Sequence, residues 1–144
     1  MKKLILIMTC VLLASCATSN VKELKRYSGN SVEFTVEENY QRVYKNLLDK
    51  LHECKGEAWT DVSASYHIRN ELFNERKEGH ITFIMSNAGI HSYYMHIDFT
   101  SIADKKTKAK AYVYYSTWED YLPLIKQWAF DGNSGCELSE QSNA

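Results

Sequence analysis

The longest helical pattern in the chain starts at Tyr40. Tyr40, Val43, Tyr44, Leu47, Leu48, Leu51 and Cys54 recur at spacings of three and four, which gathers them into one apolar stripe. Arg42, Lys45, Asn46, Asp49, Lys50 and Glu53 fall elsewhere on the cylinder. The pattern predicts a helix over residues 37–54. Thr35 and Glu38 have capping-box spacing, and Asn39 is an alternative N-cap. Glu37 and Glu38 suit the positive end of a helix dipole, and Lys55-Gly56 suits the other end.

Elsewhere the period is two. Residues 32–36 alternate as a strand ahead of the helix. After it, Tyr66, Ile68, Asn70 and Leu72 alternate with His67, Arg69, Glu71 and Phe73. Ile81, Phe83 and Met85 alternate in a second run, and Tyr93, Met95, Ile97 and Phe99 in a third. In the last run, Ala109, Ala111, Val113 and Tyr115 alternate with Lys110, Tyr112 and Tyr114. The intervening turns are residues 75–79, with Gly79 expected to supply a positive φ, residues 87–89, and a charged turn over 103–107. A second helix is expected to start near Asp120, because Pro123 is tolerated only in a first turn. Tyr121, Leu124, Ile125 and Trp128 form its stripe, and Gly132 is the expected left-handed stop. The resulting fold class is α+β. An antiparallel sheet of about five strands carries two helices packed on one face, in the order β-α-β-β-β-β-α.

The N-terminus follows a different rule. Lys2 and Lys3 precede an apolar run over residues 4–14, and the run ends in Leu13-Ala14-Ser15-Cys16. A membrane-spanning helix needs about 20 apolar residues, so this run is short for one and fits the core of a signal peptide. The segment resembles a bacterial lipoprotein signal with its lipobox. That resemblance implies cleavage before Cys16, diacylglycerol on the Cys16 thiol and an N-acyl chain on the new terminus. Two or more acyl chains hold a protein stably on a bilayer. Residue 17 is Ala rather than Asp. In enteric-type lipoproteins this implies the outer membrane, with the protein facing the periplasm. The expected organisation is a signal peptide over 1–15, a lipidated tether over 16–30, a single α+β domain over 31–136 and a frayed tail over 137–144. Lys22, Lys25 and Arg26 lie in the tether, where they are either solvated or able to touch anionic head groups. At the level of fold, the domain resembles the helix-grip type found in some outer-membrane assembly lipoproteins. Through Phe34-x-Val36, Tyr40, Tyr44, Cys54, Trp128-Ala129-x-x-Gly132 and Cys136 it also resembles small periplasmic lipoproteins to which no activity is attached.

This address changes how the composition reads. The chain has 144 residues and four cysteines, with 17 basic against 18 acidic side chains. Loss of Lys2 and Lys3 makes the balance more acidic, which argues against a nucleic-acid partner. Cys10 would be discarded with the signal and Cys16 acylated, which leaves Cys54 and Cys136. In an oxidising periplasm such a pair is expected to form a disulfide. The alternatives are a metal site or a catalytic thiol, but neither cysteine has a CxxC partner or zinc-finger spacing to a histidine. Both cysteines fall at or just past a predicted helix end, so a bond between them would tie the two helices together.

Motifs for chemistry are sparse. There is no Gly-x-Ser-x-Gly elbow, phosphate-binding loop, HExxH or Asp-rich calcium loop. His67 or His80 with His96 could form a cross-strand metal pair, but scattered surface histidines are the simpler reading and the one adopted. Lys105, Lys106, Lys108 and Lys110 form a basic run suited to an acidic partner or to lipid phosphates, or else to a solvated hairpin tip. Tyr94, Tyr112 and Tyr114 are placed by the alternation on the outward face of two adjacent strands and are the candidate partner-binding surface. The reading is therefore non-enzymatic, with no metal and no cofactor beyond the covalent lipid at Cys16. It describes a membrane-anchored domain that binds or scaffolds an envelope component. The alternatives are an apolar-ligand binder lined by Tyr44, Met95, Ile97 and Phe99, and a hydrolase whose site carries no motif. No pattern in the sequence sets an oligomeric state.

Overall fold

The computed structural model describes residues 19–55, 64–114 and 116–137. In chain order they form α1 (Val21–Tyr27), β1 (Asn30–Val36), α2 (Tyr40–Lys55), β2 (Ala64–Phe73), β3 (Glu78–Asn87), β4 (Ile90–Ala103) and β5 (Lys106–Val113). A 3₁₀ turn (Ser116–Trp118) and α3 (Tyr121–Phe130) follow. The five strands make one antiparallel sheet in the order β1-β5-β4-β3-β2. The segment containing α2 carries the chain from one edge of the sheet to the other. The meander β2 to β5 then returns strand by strand until β5 pairs with β1. The α+β class is as expected from the sequence, but the described residues form three α-helices rather than two. The signal over 1–15, Cys16 and the end of the tail over 138–144 lie outside the described residues.

One face of the sheet is closed by α2 and α3. Val43, Leu47 and Leu51 of α2, and Ile125, Trp128 and Ala129 of α3, are fully buried against Phe34, Val36, Ile81, Phe83, Met95, Ile97, Phe99 and Val113. The strand β5 is narrow on this face. Ala109 pairs with Phe34 on one side and Phe99 on the other, while Ala111 pairs with Val32 and Ile97. Small side chains flanked by large ones let the layers interdigitate at interior density. Asn39 starts α2: its side-chain oxygen accepts the Gln41 N–H at 2.9 Å, and its carbonyl accepts from Val43. Of the two expected caps, Asn39 is the one in use.

The Sγ atoms of Cys54 and Cys136 are bonded, with 5.4 Å between their Cα atoms, and the two residues are 82 positions apart in sequence. Trp128 Nε1 donates to the Gly135 carbonyl at 2.9 Å, which holds the segment carrying Cys136 beneath α3. The bond thus fastens the C-terminal end of α2 to the segment that follows α3.

Three local expectations are corrected. The positive φ of the β2–β3 turn belongs to Lys77, at 52°, and not to Gly79. Gly79 is a buried strand residue, where a Cβ would lie 2.6 Å from the Phe99 ring and 2.7 Å from the Glu71 carbonyl. Gly132 is not among the positive-φ residues. It lies close under α2, where a Cβ would sit 2.5 Å from Asn46 Oδ1 and would displace that side chain. Finally, the span expected to be tether up to residue 30 contains α1 and the first residue of β1. The polar composition of 21–27 hides one apolar anchor, Leu24, which is fully buried.

Candidate functional site

A line of polar and titratable groups lies on the sheet face opposite α2 and α3, beneath α1. That helix has its own start signal. Asn20 Oδ1 accepts the Glu23 N–H at 2.9 Å, and Glu23 Oε2 accepts from the Ser19 N–H and hydroxyl at 2.9 and 2.8 Å. These bonds hold the Glu23 carboxyl below its ordinary value and satisfy amides left free at a helix start. From this short helix Leu24 and Lys25 reach down to β4 and β5.

Beneath it runs a chain of polar groups. Thr82 Oγ1 and His96 Nδ1 are 2.8 Å apart, His96 Nε2 and Asp98 Oδ1 are 2.9 Å apart, and Asp98 Oδ2 meets Lys25 Nζ at 2.5 Å. The strand pairing explains the alignment. Thr82 is the cross-strand partner of His96, and Asp98 lies two residues along β4 on the same face. An ionised carboxylate can only accept, so Nε2 of His96 carries a proton and donates it to Asp98. Burial would raise the Asp98 pKa. Hydrogen bonds from His96 and Lys25, together with the fields of both groups, outweigh burial and hold the carboxyl at about 2. Beside this chain His80 stacks near His96, with ring centroids 5.5 Å apart. Burial first, and then the neighbouring His96, push the His80 pKa below its ordinary value despite Glu71 and Asp98. The Tyr112 ring completes the wall, with Lys25 and Lys110 each 5.4 Å from its centroid.

A cleft of about 260 Å³ opens next to these groups, lined by Phe73, Glu78, Gly79, His80, Asp98, Phe99 and Thr100. It lies just below the ordinary size of small-ligand pockets. A hydroxyl, an imidazole and a carboxylate in line are the parts of a nucleophilic triad. Here, however, the hydroxyl belongs to Thr82, at 1% exposure, and the imidazole to His96, at 3%. Asp98 is also tied to a lysine rather than left to serve the imidazole alone. In this arrangement the chain of groups latches α1 to the sheet, and the threonine oxygen meets no solvent. Among the described residues no group of three or more His, Cys, Asp or Glu is placed to hold a metal ion.

The residues singled out from the sequence are distributed differently from the expected row. Tyr112 does lie on this face. Tyr94 does not, because the register shifts between Phe83 and Ile84: Phe83 pairs with Met95 and Ile84 with Tyr93. The extra residue, Tyr94, is turned to the helix side, where its ring lies 5.5 Å from Trp118 and its hydroxyl 3.6 Å from Met85 Sδ. Such a bulge breaks strict alternation within one strand. Tyr114 lies just past the end of β5, where its backbone N–H donates to the Tyr94 carbonyl. The three tyrosines therefore do not form one outward surface. The basic run is partly neutralised from within, with Lys106 paired to Glu37 at 2.8 Å and Lys108 to Glu33 at 2.7 Å. Met95, Ile97 and Phe99, the expected lining of an apolar pocket, are buried core residues, and the Tyr44 ring packs 5.7 Å from that of Phe99.

Thr82 and Asp98 were not among the sequence candidates, and Lys25 was read only as a tether residue, solvated or in reach of head groups, whereas it is paired with Asp98. The alternation of β4 does place His96 and Asp98 on one face, which was the available signal. Thr82 and Lys25 join them only through the pairing of β3 with β4 and the docking of α1.

No known protein family matches the chain. Neither a curated protein nor a solved structure matches it.

Proposed function

We propose that the chain is a lipid-anchored protein of the outer membrane facing the periplasm. It is held through acylated Cys16 and has a non-enzymatic role in binding or scaffolding a cell-envelope component. The observation that supports this reading most directly is the shortness of the link between lipobox and domain. Cys16 stands five positions before Val21, the first residue of α1, and α1 is fastened to the sheet by Leu24 and by Lys25 on Asp98. Even fully extended, a few residues reach no more than about 20 Å. The anchor would therefore keep the α1 face close to the bilayer and turn the α2–α3 face toward the periplasm. Lys22 and Arg26, both exposed on α1, would lie within reach of anionic head groups.

Replacing Cys16 by Ser in cells fed radioactive palmitate tests the reading. The unchanged chain is expected to carry label and to fractionate with the outer membrane, and the variant to lose both properties. Undiminished label on the variant would overturn the anchor. A labelled chain found only with the inner membrane would overturn the location.

A further inference from the structure

The two edges of the sheet are guarded unequally. At one edge β1 has seven residues, and its one acidic side chain, Glu33, reaches Lys108 of β5. At the other edge β2 has ten residues and pairs with β3 in unbroken register from Ala64↔Asn87 to Phe73↔Glu78. It contains no proline and no bulge, the devices that ordinarily blunt an edge. Among the described residues its backbone pairs on one side only. Ile68 and Leu72 pack against the helix-side core while remaining partly exposed. On the other face stand the exposed Arg69 and Glu71. The Arg69 side chain has no hydrogen bond or ion pair among the described residues, and the Glu71 side chain has only a 3.8 Å approach from His80.

We propose that β2 is a homodimer edge, where a second copy of this chain adds antiparallel to form one continuous ten-stranded sheet. The sequence of β2 is self-complementary about Asn70. A two-fold axis normal to the sheet keeps like faces together, so residues meet only in same-face pairs. With the axis at Asn70, Arg69 lies opposite the partner's Glu71 and Ile68 opposite the partner's Leu72, and each pairing occurs twice. Opposite charges and apolar pairs directly across a ladder are both favourable. The neighbouring registers lose this match. An axis at Arg69 sets Arg69 against the partner's Arg69, and an axis at Ile68 sets it against the partner's His67. The inference does not depend on the anchor, but it agrees with one. An axis normal to the sheet leaves α1 of both copies on the same side, so two Cys16 lipids reach one bilayer.

The test uses the full chain in its native membrane. Asn70→Cys should give a covalent dimer of twice the chain mass on a non-reducing gel, because directly opposed strand residues lie within disulfide reach. Thr35→Cys on the β1 edge should not. Adding Arg69→Glu should lower the Asn70→Cys product at least about 10-fold, since both ion pairs become repulsive, and adding Glu71→Arg to that variant should restore it. Sedimentation of the unsubstituted chain in detergent should give the dimer mass and so guard against a defect caused by the new cysteine. The proposal is overturned by a monomer mass, by a product containing a different protein, by equal product from Thr35→Cys, or by a product insensitive to the charge reversals.

Discussion

The two faces of this sheet are closed by different physics. On one, α2 and α3 bury a continuous apolar layer in which Val43, Leu47, Leu51, Ile97, Ile125 and Trp128 have lost essentially all contact with water. The Cys54–Cys136 bond then ties the helix-bearing segments together. On the other, a seven-residue helix is held by one leucine and a line of hydrogen-bonded polar groups. Apolar burial is roughly proportional to area and indifferent to pH, whereas a polar line depends on each of its members and on their protons. The helix face therefore sets global stability, and the polar face holds an element that can be released by itself.

The largest expected effect lies on the helix face. Trp128 is fully buried and its indole N–H holds Gly135. Trp128→Ala should cost about 3–5 kcal/mol, the usual range for removing a large core aromatic, read as a fall in the urea midpoint of the whole domain. A fall confined to the segment around Cys136, with the sheet unchanged, would show that the stability of this face is local, and the contrast between the faces would fail.

The next effect lies under α1. Leu24→Ala should weaken docking by about 2 kcal/mol and speed hydrogen exchange at the Leu24 and Ser28 amides, which bond to the Asn20 and Leu24 carbonyls. The urea midpoint of the sheet should move far less than in Trp128→Ala, because short helices open as separate units. Equal shifts in the two variants would mean that α1 and the sheet unfold as one.

The same contrast explains how far the sequence could be read. The helix face was legible because periodicity reports apolar burial directly. The stripe from Tyr40 to Cys54 and the alternations of Ile81 to Met85 and Met95 to Phe99 each name their own core residues. The α1 face was not, because a helix with one buried residue in seven leaves no stripe to find. The signal of the polar line is split among Lys25, Thr82, His96 and Asp98, far apart along the chain. Tyr94 was misplaced for a related reason, since one extra residue at the bulge reverses the face that simple alternation assigns. Gly79 and Gly132 were read as turn residues, whereas each makes room for a close neighbour, Phe99 and Asn46. Such crowding depends on tertiary approach and leaves no local pattern.

The smallest and most specific effect is the response to acid. Asp98 titrates at about 2 in the folded chain, below its ordinary 3.8. A depressed carboxyl contributes its stability fully above the unfolded value and loses it as pH falls from about 3.8 toward about 2. His80 is also depressed, below 6.5. Its folded form resists a proton that the unfolded chain accepts, so its contribution is intact above 6.5 and declines as pH drops below that value. Both slopes have the same sign, and the groups facing them are His96, Glu71 and Lys25. Carbon-detected NMR titration of the Asp98 carboxyl separates the two. Lys25→Met should move the Asp98 midpoint up toward 3.8 and bring forward the loss of α1 protection on acidification, while moving the His80 stage only slightly upward, because Lys25 is the weakest of the fields on that imidazole. An Asp98 midpoint unmoved by Lys25→Met would mean that His96 alone holds the carboxylate, and the link from the polar line to α1 would then be packing through Leu24 rather than charge.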